Sequence, residues 1–497
     1  MMAADRLSGA AGVEVHPVPP DRGRMVAPPR TGWARLRFVL LPLLPLAALC
    51  LPGAAAPPAP PATPQLAATP PMGWNSWDSY GTTIREAEVR ATARLMASKL
   101  KRYGWRYVVI DEGWYESAPA PGSRTPQLTM DAYGRYIPNP ASYPSAVHGA
   151  GMKPLADYIH SLGLKIGVHI LRGIPRQAVA ENLPIQGSSF HAADAADTSS
   201  PCPWNGLNDG VKQDSPAGQA YYNSIARLYA SWGVDLVKAD CIDANPYRGG
   251  EIQMLSTALR ASGRPMVLSL SPGPAPIANA DALAANGQMW RMANDLWDVW
   301  QVRNDNGFPQ GVENLFGRAA AWEQYAGPGH WPDGDMLPIG ELGPNPGWGR
   351  SRASRLTQAE QQTLVTAWCV FRSPLIVGGN LLLNGPQTLA LLTNPEVIAV
   401  DQQTTGNHPV PLDDPQTLVW VAMATSPKLL GDTYVVVVNL GDQARHISES
   451  WAALGLPAHS YRTRDLWQRK NLGQQEGVDV TLAPHASELL RLDPSRG

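Results

Sequence analysis

Between residues 71 and about 402, short apolar β-rich runs alternate eight times with stretches whose apolar residues recur at helical spacing. The runs are MGWNSW, RYVVIDEGW, LKIGVHI, DLVKAD, PMVLSLS, QMWRMANDL, HWPDGDML and PLIVGGN. Between them lie helical patterns such as TIREAEVRATARLMASKL, GQAYYNSIARLYASWG and TQAEQQTLVTAWCVF. Thr357 with Glu360 has the spacing of a capping box, and Gly104, Gly163, Gly233 and Gly263 stand where helices should stop. Consecutive parallel strands need helical crossovers, and both faces of their sheet must be covered, so eight such units imply a closed (β/α)8 barrel of the TIM type over residues 71–403. A doubly wound open sheet is the alternative, but no Gly-rich phosphate loop follows the first strand.

After residue 403 the helical periods stop. TLVWVAMAT, DTYVVVVNL, SYRTRDLW and VDVTLAPHASELLRL are strand-like runs joined by turns, which predicts a small antiparallel β-sandwich domain over 404–497. Upstream, Arg35 and Arg37 precede FVLLPLLPLAALCL and a small-residue stretch, the order of a secretory signal peptide within residues 1–56. Translation starting at Met25 would give that signal an ordinary length, and its removal would take Cys50 with it. The expected location is secreted or periplasmic, with no membrane span in the mature chain. Residues 57–70 are a Pro/Ala-rich linker with too little apolar surface to offset the entropy of ordering, and are expected to be extended and unfolded.

Forty Lys and Arg against 42 Asp and Glu, without long runs of one sign, leave no electrostatic footprint for nucleic acid or an anionic membrane. A small neutral partner fits better, and 17 Trp against 5 Phe provide flat faces with N–H donors suited to sugar rings as well as to cores. The mature chain would keep Cys202, Cys241 and Cys369, which allow at most one bridge.

In a barrel of this type the C-terminal strand ends face the active site. Polar residues cluster there: Trp74 and Asp78, Asp111 and Glu112, His169 and Arg172, Lys238 and Asp240, Ser269 and Ser271, Arg291 and Asp295, Asp333 and Asp335. Strand ends meet polar loops in any protein, but charges on five or more of them together point to a site. In DLVKADCID, Asp235 opens the strand as a solvated or capping acid, and Asp243 lies in the loop beyond. Lys238 and Asp240 are two apart and project to one side. The lysine favours an ionised carboxylate, which is what a covalent nucleophile requires. Asp295 is the second carboxyl of a retaining glycoside hydrolysis, with Asp298 as a surface alternative. Cys241 points to the opposite face from Asp240 and packs or pairs with Cys202. His169 has no second His or Cys at ligand spacing, so it is read as a hydrogen-bonding residue, and neither metal nor cofactor is expected.

These motifs carry a resemblance. PPMGWNSW, YVVIDEGW, VDLVKADC, WRMANDLWDVW and GPGHWPDGDMLPIG resemble, in order and spacing, glycoside hydrolase family 27, the retaining α-galactosidases and α-N-acetylgalactosaminidases. The resemblance runs from about residue 70 to the C-terminus and implies a barrel followed by an antiparallel β domain. It places the nucleophile on Asp240, in the K-x-D motif with Lys238, and the acid/base on Asp295, in the R-x-x-x-D motif with Arg291. It implies sugar-binding roles for Asp111 and Glu112 near C4 and C6, for Trp74, and for Asp333, Asp335 and Met336. The substrate-binding set expected on both grounds is Trp74, Asp111, Glu112, His169, Lys238, Ser271, Arg291 and Asp335.

Three departures from the family pattern bear on the substrate. Glu112 replaces the usual second Asp and reaches one methylene further; His169 and Arg172, in GVHILRG, replace YxDxG; and SLSPGPAP replaces a CEW type of sequence. Ser271 and Gly273 are small where relatives face the C2 substituent, which predicts a roomy C2 pocket or a substrate other than simple galactose. The expected activity is hydrolysis of terminal α-D-galactosyl residues. α-N-Acetylgalactosaminides, β-L-arabinopyranosides and non-catalytic sugar binding are the alternatives.

Overall fold

The computed structural model describes residues 65–117, 126–303, 307–457 and 460–494. The expected signal peptide, the alternative start and the first part of the linker lie outside these residues.

Strands β1 Met72–Asn75, β2 Tyr107–Ile110, β3 Lys165–Leu171, β4 Leu236–Asp240, β5 Val267–Leu270, β6 Met289–Arg291, β7 Trp331–Asp333 and β8 Leu375–Val377 form one parallel sheet. Neighbours follow chain order, and β1 lies between β8 and β2. Between β7 and β8 the ring closes one step late. The chain turns at Asp335, with φ +87°, and Leu337 then bridges Val377 in parallel, its N–H donating to the Ile376 carbonyl at 2.7 Å. The expected eight-stranded barrel is thus present.

The period of two sorts side chains along each strand. On β4, Leu236 packs inside the barrel with Tyr107, Val109, Val267, Met289 and Ile376, while Val237 and Ala239 join the layer shared with the helices. Those helices are α1 Glu86–Leu95, α2 Lys153–Ser161, α3 Pro216–Trp232, α4 Gly249–Ala261, α5 Ala280–Asn286, α6 Phe316–Trp322 and α7 Gln358–Phe371. Ser215 caps α3 by accepting from Gly218 N–H, and Gly233 ends it at φ +84°. The capping box of α7 is formed in both directions, Thr357 to Glu360 N–H and Glu360 to Thr357 N–H.

Residues 65–70 differ from the expected unfolded linker. Leu66 and Ala67 pack against the barrel's inner cluster. The Ala67 carbonyl accepts from Gly329 N–H and from the Trp331 indole, and Gln65 donates to the Pro328 carbonyl. Apolar contact plus satisfied backbone offsets the ordering entropy that composition alone left uncovered.

The C-terminal domain holds eight strands where four runs stood out in the sequence: β9 Thr404–Val410, β10 Thr417–Ala424, β11 Thr433–Asn439, β12 Arg445–Ser450, β13 Tyr461–Asp465, β14 Lys470–Gln475, β15 Gly477–Leu482 and β16 Ser487–Asp493. Six make an antiparallel sheet in the order β9-β10-β11-β16-β13-β14, faced by the β12-β15 pair. Val419, Val421, Val435, Val437 and Leu490 pack toward that pair, while Trp420, Ala422, Val436 and Leu489 turn into the core shared with the barrel. At the junction the Trp467 indole donates to Thr366 of α7, and Phe371 meets Trp420 at 4.8 Å between ring centres. No helix among the described residues is long and apolar enough to cross a membrane.

Candidate active site

At the C-terminal end of the barrel a cavity of about 490 Å³ is lined by Asp111, Glu112, Lys238, Asp240, Ser271 and Asp295, with Trp77, Trp204, Asn205 and Phe308 completing the wall. The parallel register lifts these groups to one level: His169 pairs with Lys238 and Leu171 with Asp240 across β3 and β4, and Ser269 pairs with Lys238 across β4 and β5.

Lys238 sits at the base of the cavity, its Nζ 2.7 Å from Asp111 Oδ2. That oxygen also accepts from Asn75 Nδ2 at 2.6 Å, and Oδ1 accepts from Glu112 N–H at 2.9 Å. Burial alone would raise the Asp111 pKa, but Lys238, His169 and Asn75 outweigh it and hold the carboxyl well below its usual range. The reciprocal field of Asp111 and Asp240 keeps Lys238 charged despite its burial.

Asp240 is held from three sides. His169 Nε2 lies 3.3 Å from Oδ2, Cys241 N–H donates to Oδ1 at 2.7 Å, and Lys238 supplies a cationic neighbour. Burial opposes ionisation, yet these donors win, and the Asp240 pKa lies below its ordinary value. Asp295 is opposite in character. Burial raises its pKa, and Arg291, 3.3 Å away, offsets only part of that while the charge of Asp240 adds to it. One carboxyl is therefore held below its ordinary pKa and the other above it in the same cavity, the separation on which nucleophile and acid/base assignments rest.

Several expected site residues stand one layer back. His169 is fully buried behind Asp240, and its carbonyl accepts from the Trp114 indole. Burial would lower the His169 pKa, but Asp111 and Asp240 outweigh it and raise it, so the ring is biased toward its charged form and buttresses Asp240 from behind the cavity wall. Arg291 and Asp335 are spent on each other at 2.7 Å; Asp335 also accepts from Leu296 N–H at 2.8 Å, fixing the backbone beside Asp295, and Asp333 caps Asp335 N–H. Met336 reaches the wall in their place.

The sequence reading is corrected at two further points and refined at three. Trp74 is buried, its indole N–H donating to the Gly379 carbonyl at 3.0 Å, and Trp77 lines the cavity instead; the chain leaves the strand at Asn75, so strand alternation no longer predicts direction there. Asp298 is not a surface acid. It is buried and gripped by Arg352 and Arg355, whose hydrogen bonds overcome burial and lower its pKa, so it holds no proton to donate. Asp235 is not simply solvated, since it accepts from Ile166 N–H and pairs with His160 and Arg264 at the stability end. Asp243, beyond β4, is buried and accepts from Gly273 N–H and Arg291 N–H, so it pins the loops after β5 and β6; burial pushes its pKa up to about 7. Finally, Gly273 lines the cavity, but packing as well as space for a substrate requires its lack of a side chain. A Cβ there would meet the Ala293 carbonyl oxygen and Arg291 Cβ, so the missing side chain serves loop packing at φ +75°, with Ser271 and Pro272 in the wall beside it.

Residues 172–215, between β3 and α3, carry a part of the site that periodicity does not reveal. Arg172 forms a buried ion pair with Glu251 at 2.7 Å and donates to the carbonyls of Ser200 and Pro201. Cys202 forms a disulfide with Cys241, Cα atoms 6.0 Å apart, while Cys369 is free and buried. This strut brings Trp204 and Asn205 over the cavity, where Asn205 Nδ2 donates to Glu112 Oε1 at 2.6 Å. Burial, with Asp240 and Glu116 nearby, pushes the Glu112 pKa up to about 7.

Comparison with known proteins agrees with this geometry. A family model described as Alpha galactosidase A matches residues 209–403, and one described as Alpha galactosidase C-terminal beta sandwich domain matches residues 417–492. Alpha-galactosidase 3 of Arabidopsis thaliana is 30% identical over 417 residues, covering 82% of this chain and 77% of that protein. The crystal structure of a family-27 β-L-arabinopyranosidase from Geobacillus stearothermophilus matches with a TM-score of 0.80 and 43% identity, covering 87% of this chain and 98% of that one. The structure of α-galactosidase I from Mortierella vinacea matches with a TM-score of 0.65 and 26% identity, covering 86% and 98%. The chain belongs to glycoside hydrolase family 27.

Proposed function

We propose that this protein hydrolyses terminal α-D-galactopyranosides with retention of configuration. The observation that carries the reading is the pair of carboxyls in one cavity, the pKa of Asp240 held below and that of Asp295 raised above the ordinary Asp value. The Asp240 carboxylate attacks the anomeric carbon while the Asp295 proton goes to the departing glycosidic oxygen, leaving a glycosyl ester on Asp240. Asp295, now a carboxylate, takes a proton from water as that water cleaves the ester, and both side chains return to their starting states. Asp111 and Lys238 at the closed base of the cavity supply an acceptor and a donor for ring hydroxyls, which suits a terminal sugar entering end-on.

A second reading, β-L-arabinopyranoside hydrolysis, is favoured by Glu112. That sugar has the galactose ring pattern without the C6 group. The longer acid, braced by Asn205, lines the cavity at the position that the family resemblance assigns to the sugar's C4 and C6, and the 43% identity to a β-L-arabinopyranosidase supports the same reading. The test is kcat/KM on the nitrophenyl α-D-galactopyranoside, α-N-acetylgalactosaminide and β-L-arabinopyranoside. Shortening the acid by Glu112→Asp is expected to move the galactoside-to-arabinopyranoside ratio toward galactoside by about tenfold, the scale of one methylene in a fitted pocket. An unmoved ratio removes Glu112 from glycone selection, and a wild-type protein inactive on all three overturns the hydrolase reading.

We infer export as well. A disulfide beside the site, Cys202–Cys241, supports an oxidising compartment. Sequencing of the native mature N-terminus should begin downstream of Cys50, and a start upstream of it counts against export.

A further inference from the structure

Trp204 is 48% exposed although it lines the cavity that holds Asp240 and Asp295, and Phe308 across the mouth is 38% exposed. A large indole left in water is uncommon in a chain that fully buries nine other large side chains of this kind, among them Trp74, Trp114 and Trp290. No aromatic ring among the described residues stacks on it. The cavity has a polarity gradient: the ionisable Asp111, Glu112 and Lys238 form its base, and Trp204, Phe308 and Pro203 its rim.

We propose that Trp204 is the platform of a leaving-group subsite, which takes the second pyranose ring of an oligosaccharide or glycoconjugate with its C–H face on the indole. This rests on the hydrolase reading above. If the glycone fills the charged base and Asp295 protonates the bridging oxygen, the remainder of the substrate extends toward the rim, where the exposed faces lie. An indole presents a flat, rigid apolar surface at small conformational cost, with an N–H at its edge for a sugar hydroxyl.

The position of this platform is set from the nucleophile's own strand. Trp204 lies two residues from Cys202, and the disulfide joins Cys202 to Cys241, the residue after Asp240. Just before Cys202 the loop is fixed by Arg172 through the Ser200 and Pro201 carbonyls, and on the far side of Trp204 by the Asn205 amide, which donates to Glu112. The excursion between β3 and α3 therefore holds its ring at a fixed offset from the attacking carboxylate. Trp204 is in this view a specificity residue, not a catalytic one.

The test compares two substrates of the same glycone: the α-galactosyl fluoride, whose leaving group is a single atom, and an α-1,6-linked galactosyl disaccharide. In Trp204→Ala, kcat/KM for the disaccharide is expected to fall about fivefold to tenfold further than for the fluoride, chiefly through KM, and Trp204→Phe to recover most of the difference. Equal losses on both substrates mean that Trp204 only supports the fold of the site and overturn the proposal, as does a disaccharide rate that does not fall. The arabinopyranosyl fluoride and its disaccharide serve the same comparison if wild type prefers that glycone. A wild-type protein inactive on every fluoride defeats the hydrolase reading itself, and this inference with it.

Discussion

Asp240→Ala is expected to lower kcat by on the order of 10⁴, and azide to restore turnover by forming a glycosyl azide of inverted configuration. Removal of this carboxylate opens the face of the sugar from which it attacks, and a small anion can occupy the vacated volume beside Lys238 and His169. Asp295→Ala should differ in kind. A nitrophenolate leaves without a proton, so that substrate loses little in its first step, whereas an alkyl glycoside stalls; azide then attacks the covalent intermediate and gives the retained configuration. NMR of the two azide products reads the roles directly. Swapped configurations would exchange the assignments, and near-normal turnover in both variants would remove the pair from catalysis.

The same division sets the pH profile. Asp240 is needed ionised, and its depressed pKa preserves that form as pH falls through the ordinary Asp range. Asp295 is needed protonated, and its raised pKa preserves that form above the ordinary range, with activity lost as pH rises through it. The optimum therefore falls between the two. His169→Gln removes one of the donors that hold Asp240 low, so the acidic limb of kcat/KM should move up by about one pH unit. An acidic limb that stays in place would show that His169 does not set the Asp240 charge.

Arg172→Met is expected to cost about 3–5 kcal/mol of stability at neutral pH, measured as the denaturant midpoint, because it leaves the Glu251 carboxylate buried without its cation. Both side chains of this pair are 1% exposed, and the other Glu251 oxygen is occupied by the Tyr222 hydroxyl at 2.7 Å. Burial already raises the Glu251 pKa, with Arg172 opposing, and removing Arg172 raises it further. An acid whose folded pKa lies above its unfolded value loses stability as pH rises from the unfolded value toward the folded one. Relative to the intact protein, the deficit should thus grow as pH rises through and beyond the already raised folded pKa of Glu251 and shrink at lower pH. Adding Glu251→Gln to Arg172→Met should recover part of it. A deficit under about 1 kcal/mol would mean that water or a rearranged partner solvates Glu251.

What the sequence disclosed depended on the range of the interactions involved. The barrel was legible because each βα unit repeats its own local pattern, and the Lys238–Asp240 spacing was legible because both residues lie within one regular strand. At the strand ends the reading became less secure. Trp74 and Trp77 are three apart, but β1 stops between them, so which of them meets the cavity depends on the turn at Ser76 and not on parity. Asp298 looked solvent-facing because the arginines that enclose it, Arg352 and Arg355, come more than fifty residues later. Trp204 and Asn205 sit in an excursion with no long periodic run, and long-range links explain their presence at the site: the Cys202–Cys241 bridge, one of several pairings open to the sequence, and the Arg172 contacts to Ser200 and Pro201. His169, Arg291 and Asp335 were drawn to the site for their charge, and it is as the supports of Asp240 and Asp295 that the structure places them.

Residues 65–71 redraw the edge of the enzyme. The eight repeats begin at Met72, but the lower mouth of the barrel is stoppered by Leu66 and Ala67, and the Pro71 carbonyl accepts from Leu375 N–H at the start of the last strand. A fragment beginning at Met72 would keep every side chain near the sugar and still lack its floor. The packed barrel is therefore longer than its repeat count, and its first ordered contacts come from what composition alone would discard as tether.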